Sequence, residues 1–209
     1  MMRTISQIMH TAPVIPVITI EKLEHAIPLA RALVDGGLPV LEVTLRTKCA
    51  LAAISAIANE LPEAIVGAGT IINRTTYEQA RAAGAQFIVS PGFTAELLAC
   101  YEENQLPFLP GVNTPGEIMR LLEAGISAMK FFPAEAAGGI PMLKAFSAPL
   151  PQALFCPTGG ISMSNAREYL ALPNVACVGG SWMVSKNLVD NRQWQDIKAL
   201  AKAAAELKT

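Results

Sequence analysis

The sequence predicts an α/β fold in which strands and helices alternate within a single domain, and three observations support this. Eight short apolar runs begin 20 to 26 residues apart, which leaves room for a strand, a turn and a short helix in each interval. The segments between these runs carry apolar residues at helical spacing. The chain shows no linker, low-complexity tract or break in composition, so we expect residues 1–209 to form a single domain.

The apolar runs have the composition of buried strands. They are VIPVITI from Val14, VLEVTLR from Val40, IVGAGT from Ile65, FIVSPG from Phe87, PFLPGV from Pro107, AMKFFPA from Ala128, ALFCPTGG from Ala153 and VACVGGS from Val175. Alternation with helices implies parallel strands joined by right-handed crossovers. A flat doubly wound sheet uses the same alternation, but the sequence after Gly69 lacks the third glycine of a dinucleotide-binding loop. Eight units therefore favour a single (β/α)8 barrel of the TIM type, with short connections.

Start and stop signals of helices lie between the runs. The clearest is Thr114-Pro115-Gly116-Glu117, which combines a capping box with proline at the first helical position, before a helix that ends at Gly125. The other expected helices are residues 23–34, residues 51–61, one capped by Thr75 or Thr76 and running to Gly84, one beginning near Thr94, one opened by Ser162 or Ser164, and residues 192–208. We also expect a short N-terminal helix within residues 1–10, which lack the apolar core of a signal peptide.

Composition and charge exclude several classes of partner. The net charge is −1 and no block of Lys or Arg is present, which argues against nucleic acid and against an anionic membrane surface. The apolar runs are far shorter than the roughly 20 residues that span a bilayer, so we expect a cytoplasmic protein. Because 52% of the residues are hydrophobic, some apolar surface should remain for contacts between subunits of a homo-oligomer. The cysteines and histidines show no metal-ligand spacing, so we expect no metal and free, buried thiols.

Lys130 is the one lysine of eight that lies inside an apolar strand run. It shares a strand face with Phe132, and Met129 and Phe131 flank it. Lysine is almost never fully buried without a task, and desolvation favours the neutral, nucleophilic amine. A snorkelling lysine or a structural ion pair is the alternative, although a closed barrel has no edge strand for it. We therefore interpret Lys130 as a nucleophile.

The second run places three polar residues on one strand face. Glu42, Thr44 and Arg46 alternate with apolar residues that would pack on the helices, so the polar face should point into the barrel. Glu42 is then deepest and Arg46 lies at the carboxyl-terminal rim, where barrels hold their active sites. An interior network of Glu, Arg and Lys that satisfies only itself is the alternative, but burying charges for stability alone is usually unfavourable.

The last two runs end in paired glycines. Gly159-Gly160 and Gly179-Gly180 each precede a polar helix start, where bare backbone N–H groups form an anion site. Loops after strands seven and eight commonly hold a phosphate in barrels. Glycines are also ordinary turn residues, but two such loops at these positions favour a phosphate site.

Six motifs together resemble the class I 2-keto-3-deoxy-6-phosphogluconate (KDPG) aldolases, whose bacterial members often also act on 4-hydroxy-2-oxoglutarate. The motifs are EVTLRT at 42–47, GAGT at 67–70, SPG at 90–92, KFFPAE at 130–135, PTGGI at 157–161 and GGSW at 179–182. They occur in the family's order, and the similarity runs from about Pro13 to the final helix. The resemblance implies a metal-free, cofactor-free homotrimer of barrels.

The resemblance also implies a role for each motif residue. Lys130 would form the Schiff base, Glu42 would transfer protons, and Arg46 would bind the substrate carboxylate with help from Thr70. The residues that would line the pocket around the pyruvyl unit are Pro91, Phe132 and Thr158. Those that would hold the phosphate are Gly159, Gly160, Gly180 and Ser181.

The implied reaction is the cleavage of KDPG to pyruvate and glyceraldehyde 3-phosphate, a lyase step of the Entner–Doudoroff pathway of carbohydrate metabolism. The implied second substrate is 4-hydroxy-2-oxoglutarate, which would give pyruvate and glyoxylate. Three alternatives stay open at this point: an aldolase for the galactonate epimer, a sugar-phosphate isomerase or epimerase, and a catalytically silent barrel that senses a phosphorylated ligand.

Overall fold

The structure is a computed structural model that describes residues 3–208, and of residue 208 the backbone alone. Residues 1, 2 and 209 lie outside the described residues, as do the parts of the predicted N-terminal helix and of the 1–209 domain that include them. The strands are β1 Val14–Ile18, β2 Val40–Thr44, β3 Ile65–Gly69, β4 Ile88–Val89, β5 Phe108–Leu109, β6 Gly111–Val112, β7 Ala128–Phe131, β8 Leu154–Pro157 and β9 Val178–Gly180. The α-helices are α1 Ile5–Met9, α2 Ala26–Asp35, α3 Ala50–Glu60, α4 Arg74–Ala82, α5 Ala95–Asn104, α6 Pro115–Glu123, α7 Gly139–Ser147, α8 Ala166–Leu170, α9 Lys186–Asp190 and α10 Trp194–Ala205.

The strands form curled parallel sheets, so the α/β class is confirmed. One sheet has the order β5-β4-β3-β2-β1-β9 and the other the order β6-β7-β8. The fifth predicted run is two short strands, not one, because Pro110 interrupts it and has no N–H to donate. The Pro110 carbonyl still accepts a hydrogen bond from the Lys130 N–H at 2.8 Å. An isolated parallel bridge between Thr158 and Gly179 links the end of β8 to β9, and another joins Phe155 of β8 to Val175, ahead of β9.

Two layers of buried side chains follow from the alternation along each strand. Odd-numbered residues of β2, such as Leu41 and Val43, belong to the outer core between the sheets and the helices. Val40, on the opposite strand face, belongs to an inner core enclosed by the sheets. The inner core comprises Ile8, Met9, Ile15, Val40, Ile65, Phe87, Val89, Leu109, Ala128, Cys156, Ala176 and Cys177. Val40, Ile65 and Ala128 are the first residues of their strands, and α1 adds Ile8 and Met9, so α1 covers the amino-terminal end of these strands.

The predicted helix starts agree best with the structure where the N-cap residue is also the predicted one. Thr114 caps α6, and Glu117 completes the predicted capping box. The cap of α4 is Asn73 rather than Thr75 or Thr76, and Thr76 is its capping-box partner. Neither Ser162 nor Ser164 caps α8, which begins later, after Asn165.

Other helix boundaries also differ from the prediction. Residues 23–25 form a 3₁₀ turn before α2, and α7 was not predicted. The long C-terminal helix is α10, which is preceded by the short α9 and followed by a 3₁₀ turn. The cysteines form no disulfide in the described part of the chain, and Cys49 alone is only partly buried. Within residues 3–208, no helix is both long enough and apolar enough to cross a membrane.

Candidate active site

Lys130 and Glu42 meet across the interior of the curled sheets. Lys130 is the third residue of β7 and Glu42 the third of β2, so both point inward, as their inner-core neighbours two residues earlier do. The Lys130 Nζ lies 3.1 Å from Glu42 Oε1 and 3.3 Å from Oε2. The exposed fraction is 6% for Lys130 and 3% for Glu42. The pair is therefore a buried, two-oxygen contact between an amine and a carboxylate.

The space for this pair depends on a neighbouring glycine. Gly69 ends β3, and a Cβ at that position would lie 2.3 Å from Glu42 Oε1. Any larger residue would displace the carboxylate. On the other side, the Lys130 Nζ lies 5.4 Å from the centroid of the Phe132 ring, which is a cation–π distance. The amine is thus held between a carboxylate and an aromatic face.

The three polar residues of the second run have different surroundings. Glu42 points inward as predicted. Thr44 is buried, and its hydroxyl donates to the Ile18 carbonyl at 3.0 Å and lies 3.1 Å from the Thr19 hydroxyl. These bonds tie β2 to β1, so Thr44 is structural. Arg46 follows β2 in a turn, is exposed, and borders a cleft at the carboxyl ends of the strands.

That cleft, of about 150 Å³, gathers most of the predicted substrate-binding residues. Its predicted members are Arg46, Phe132, Thr158, Gly159, Gly160, Gly180 and Ser181. Val17, Ile161 and Gly179 complete the lining. Because Phe132 both lines the cleft and contacts the Lys130 amine, the buried pair lies beside the cleft.

Close packing shapes the two glycine loops. Gly159 and Gly160 have φ of 101° and 81°, the left-handed region that favours glycine. A Cβ at Gly179 would lie 2.2 Å from the Thr158 hydroxyl. The loop after β8 and the strand β9 therefore approach each other more closely than larger residues would allow.

Two predicted residues lie outside the lining of this cleft. Thr70 follows β3 and Pro91 follows β4, so both are at the carboxyl end of the sheet that contains Glu42. Thr70 has a left-handed φ of 65°, which is uncommon for a β-branched residue and is typical of functional sites. Pro91 is exposed, and its carbonyl packs against Gly111.

The sequence patterns missed two features around the cleft. One is Asn165, whose side chain bonds to the backbone on both sides of Ile161. The only signal for it was an asparagine just after two candidate serine caps. The other is a second cavity, of about 280 Å³, that shares Val17 and Ser181 with the cleft and reaches the buried His25. No spacing rule connects these residues, because they come from opposite ends of the chain.

Charged groups border the second cavity. The Lys186 Nζ lies 3.0 Å from Glu21 Oε2 and 2.8 Å from Asp190 Oδ2. The hydrogen bonds that Lys186 donates to the Asp190 and Glu21 carboxylates raise the pKa of its amine, and the bond to Asp190 lowers the pKa of that carboxyl. These charges join the loop after β1 to α9 at the surface. In the described part of the chain, no group of three or more His, Cys, Asp or Glu is arranged to hold a metal ion.

Comparison with known proteins agrees with this geometry. The family model for aldolases described as "KDPG and KHG aldolase" matches residues 5–200. KHG is 2-keto-4-hydroxyglutarate, another name for 4-hydroxy-2-oxoglutarate. The KHG/KDPG aldolase of Escherichia coli K12 is 52% identical over 199 residues, which cover 95% of this chain and 93% of that protein. The 2-dehydro-3-deoxy-phosphogluconate aldolase of Dickeya dadantii is 52% identical over 198 residues, with coverage of 95% and 93%.

A solved structure is similar over nearly the whole chain. It is the KDPG aldolase of Legionella pneumophila, with pyruvate captured at low pH as a covalent carbinolamine intermediate. It superposes with a TM-score of 0.96 at 49% identity and covers 98% of this chain and 99% of that one. The resemblance carried by the six motifs is thereby confirmed: the chain belongs to the KDPG and KHG aldolase family.

Proposed function

We propose that this chain is a class I aldolase that cleaves KDPG to pyruvate and glyceraldehyde 3-phosphate. The observation that carries the proposal is the buried Lys130–Glu42 pair, with Nζ 3.1 Å from the carboxylate, beside a cleft that presents an arginine at one wall and glycine loops at another. The cleft can receive a ligand with two anionic ends. The E. coli relative bears the name KHG/KDPG aldolase, which supports a second activity on 4-hydroxy-2-oxoglutarate.

The first half of the reaction builds an electron sink on Lys130. The neutral amine attacks the C2 ketone of the substrate, and the carbinolamine that forms loses water to give a protonated imine. Glu42 is within proton-transfer distance of Nζ, so it takes the proton released by the attacking amine and returns one to the departing hydroxyl. The covalent carbinolamine of the Legionella enzyme supports this route.

The second half breaks the carbon–carbon bond. Glu42, directly or through a water, removes the proton of the C4 hydroxyl, and the electrons of the C3–C4 bond move into the imine. Glyceraldehyde 3-phosphate leaves and an enamine remains on Lys130. Protonation of the enamine at C3 and addition of water release pyruvate and regenerate the amine. No metal or other cofactor takes part.

The substrate is held at both ends. Arg46 pairs with the C1 carboxylate through the planar fork of its guanidinium, and Thr70 assists from the end of β3. Phe132, Thr158 and Pro91 surround the pyruvyl unit. The phosphate is held by Gly159, Gly160, Gly180 and Ser181. Fixing both charged ends places the scissile bond over Lys130.

The assembly that we propose is a closed (β/α)8 barrel that spans residues 1–209 as one domain. The continuity of β5 with β6 through Pro110 and the bridge from Thr158 to Gly179 support closure on both sides of the smaller sheet. Exposed apolar side chains, among them Ile72 and Met119, support subunit contacts of a homotrimer. Cysteines that form no disulfide are typical of a reducing compartment and support a cytoplasmic location.

Trapping the imine tests the proposal. Incubation with pyruvate and borohydride should leave a reduced pyruvyl adduct on Lys130, which peptide mass spectrometry locates. The Lys130→Met variant is the matched control and should carry none. Folded protein that forms no adduct and releases no pyruvate from KDPG would exclude the aldolase.

The same samples separate the alternatives. An isomerase or epimerase would convert a sugar phosphate without forming the adduct, and a sensor would bind the ligand without turnover. Comparing pyruvate release from KDPG with release from its galactonate epimer fixes the stereochemical preference. We expect faster release from KDPG.

A further inference from the structure

Three successive carbonyl groups of the loop after β8 accept hydrogen bonds from the protein. The Thr158 carbonyl accepts from the Ala134 N–H at 2.8 Å, and the Gly159 carbonyl accepts from the Glu135 N–H at 3.1 Å. The Gly160 carbonyl accepts from the side-chain amide of Asn165 at 3.1 Å. Of these three donors, two are backbone N–H groups and one is a side chain, that of Asn165.

These bonds determine where the loop's N–H groups point. In a trans peptide the carbonyl and the following N–H point in opposite directions. Fixing the Gly159 and Gly160 carbonyls therefore directs the N–H groups of Gly160 and Ile161 to the other side, while the bridge between Thr158 and Gly179 turns the Gly159 N–H toward β9. No acceptor within residues 3–208 bonds the N–H groups of Gly160 and Ile161, and both residues line the cleft. Successive free N–H groups of this kind form an anion-binding nest.

Asn165 bonds the loop backbone at two points. Its Oδ1 accepts from the Ser162 N–H at 2.8 Å while its Nδ2 donates to the Gly160 carbonyl. One side-chain amide thus bonds the backbone on both sides of Ile161. The task needs an acceptor and a donor on one short side chain, which asparagine has and ionised aspartate lacks.

The side chain of Glu135, bonded by Tyr169 of α8, is a second support of the same loop. A Cβ at Gly160 would lie 2.5 Å from Glu135 Cγ, so the loop backbone rests directly on the Glu135 side chain. The Glu135 carboxylate accepts a hydrogen bond from the Tyr169 hydroxyl of α8. Burial and this bond raise the pKa of the Tyr169 hydroxyl, so it stays a neutral donor over the physiological range. Asn165 and Tyr169 both hold the loop from the side away from the cleft.

We infer that Asn165 is a positioning residue, which orients the Gly160–Ile161 peptide so that its N–H faces the substrate phosphate. The inference rests on the proposed function, because the phosphate assignment is part of it. Asn165 does not line the cleft and acts through the loop. It should therefore affect binding of the phosphorylated end and leave the chemistry at Lys130 unchanged.

The test compares Asn165→Ala and Asn165→Asp with the unaltered chain on two substrates. We expect KM for KDPG, and the inhibition constant of inorganic phosphate, to rise roughly three- to tenfold in Asn165→Ala, as loss of one hydrogen bond predicts. The increase should be larger in Asn165→Asp, whose carboxylate faces the Gly160 carbonyl. kcat, and KM for 4-hydroxy-2-oxoglutarate, which has no phosphate, should change less than twofold.

Asn73→Ala is the matched control, since Asn73 also precedes a helix and caps it, but at α4 and outside the cleft. It should lower stability without changing either KM. Equal effects of the Asn165 variants on both substrates, or no effect on KDPG, would overturn the inference while the aldolase stands. Failure of the unaltered chain to release pyruvate would instead refute the proposed function. If Asn165→Ala does not fold, the isosteric Asn165→Asp decides alone.

Discussion

The two ends of the sheet interior differ sharply although the same strands build both. At the amino-terminal end, Val40 and Ala128 pack with Met9 of α1 in a wholly apolar inner core. Two residues further along the same strands, on the same face, the side chains are Glu42 and Lys130. Two residues of a strand span about 6.6 Å, so the change from apolar to ionic surroundings is abrupt.

This difference separates stability from chemistry along one axis of the molecule. Apolar burial at the amino-terminal end lowers the free energy of the folded state. Burying an amine and a carboxylate at the other end carries a desolvation cost that their attraction offsets only in part. Sites that depart from the rules of core packing are typically functional ones. The comparison therefore predicts that changes at the carboxyl-terminal end reduce activity, whereas changes at the amino-terminal end reduce stability and leave activity almost unchanged.

Replacing the charged Lys130 by an apolar residue should have the largest effect on activity. In Lys130→Met no imine can form, and kcat should fall by roughly four orders of magnitude or more. The single variant also leaves Glu42 buried without a partner, which should lower the free energy of unfolding by about 3–5 kcal/mol. Steady-state pyruvate release and urea denaturation measure the two effects.

The double variant Glu42→Met/Lys130→Met separates charge burial from packing. Replacing a buried ion pair by apolar residues of similar size is often neutral or stabilising by about 1–4 kcal/mol. We therefore expect a protein without activity that is at least as stable as the unaltered chain. A double variant less stable than the unaltered chain would show that the pair itself stabilises the fold.

Gly69→Ala moves the carboxylate without changing any charged residue. The added Cβ would lie 2.3 Å from Glu42 Oε1, so the carboxylate must shift away from Lys130. Misplacement of about 1 Å can reduce a rate about 100-fold, so we expect a loss of that order in kcat. Overpacking should also lower the free energy of unfolding by about 1–3 kcal/mol.

Gly116→Ala is the matched glycine control, because nothing lies within 4 Å of a Cβ at that position and it lies in α6. Alanine there should raise stability by about 1 kcal/mol at most, through its better helix propensity, with kcat unchanged. A Gly69→Ala protein with full activity would mean that the position of the Glu42 carboxylate does not limit the reaction.

Sequence alternation was enough to find the buried pair. A period of two on β2 placed Glu42 opposite the apolar face of Leu41 and Val43, and the same period on β7 placed Lys130 with Phe132. The features that the sequence did not predict depend on contacts between residues that are distant in sequence. The contact of Gly69 with Glu42 requires the register of β2 with β3, which periodicity does not supply.

The same limit explains the local errors. The split of the fifth run follows from Pro110, whose carbonyl bonds Lys130 on the neighbouring strand while its nitrogen has no proton to donate. Asn165 resembles an ordinary helix cap until the loop after β8 is folded around it. The caps of α6 were readable because Thr114 and Glu117 are three residues apart and need no tertiary contact.

Met9→Ala probes the apolar end and should have the smallest effect on activity. Met9 is fully buried in the inner core, and its truncation should lower the free energy of unfolding by about 2–5 kcal/mol. Because Met9 lies at the opposite end of the strands from Lys130, kcat and KM for KDPG should stay within twofold at temperatures where the variant is folded. Urea denaturation and pyruvate release on the same sample measure both quantities. A large loss of kcat with little loss of stability would show that the apolar end controls the geometry of the Lys130–Glu42 pair, and would contradict the separation of stability from chemistry.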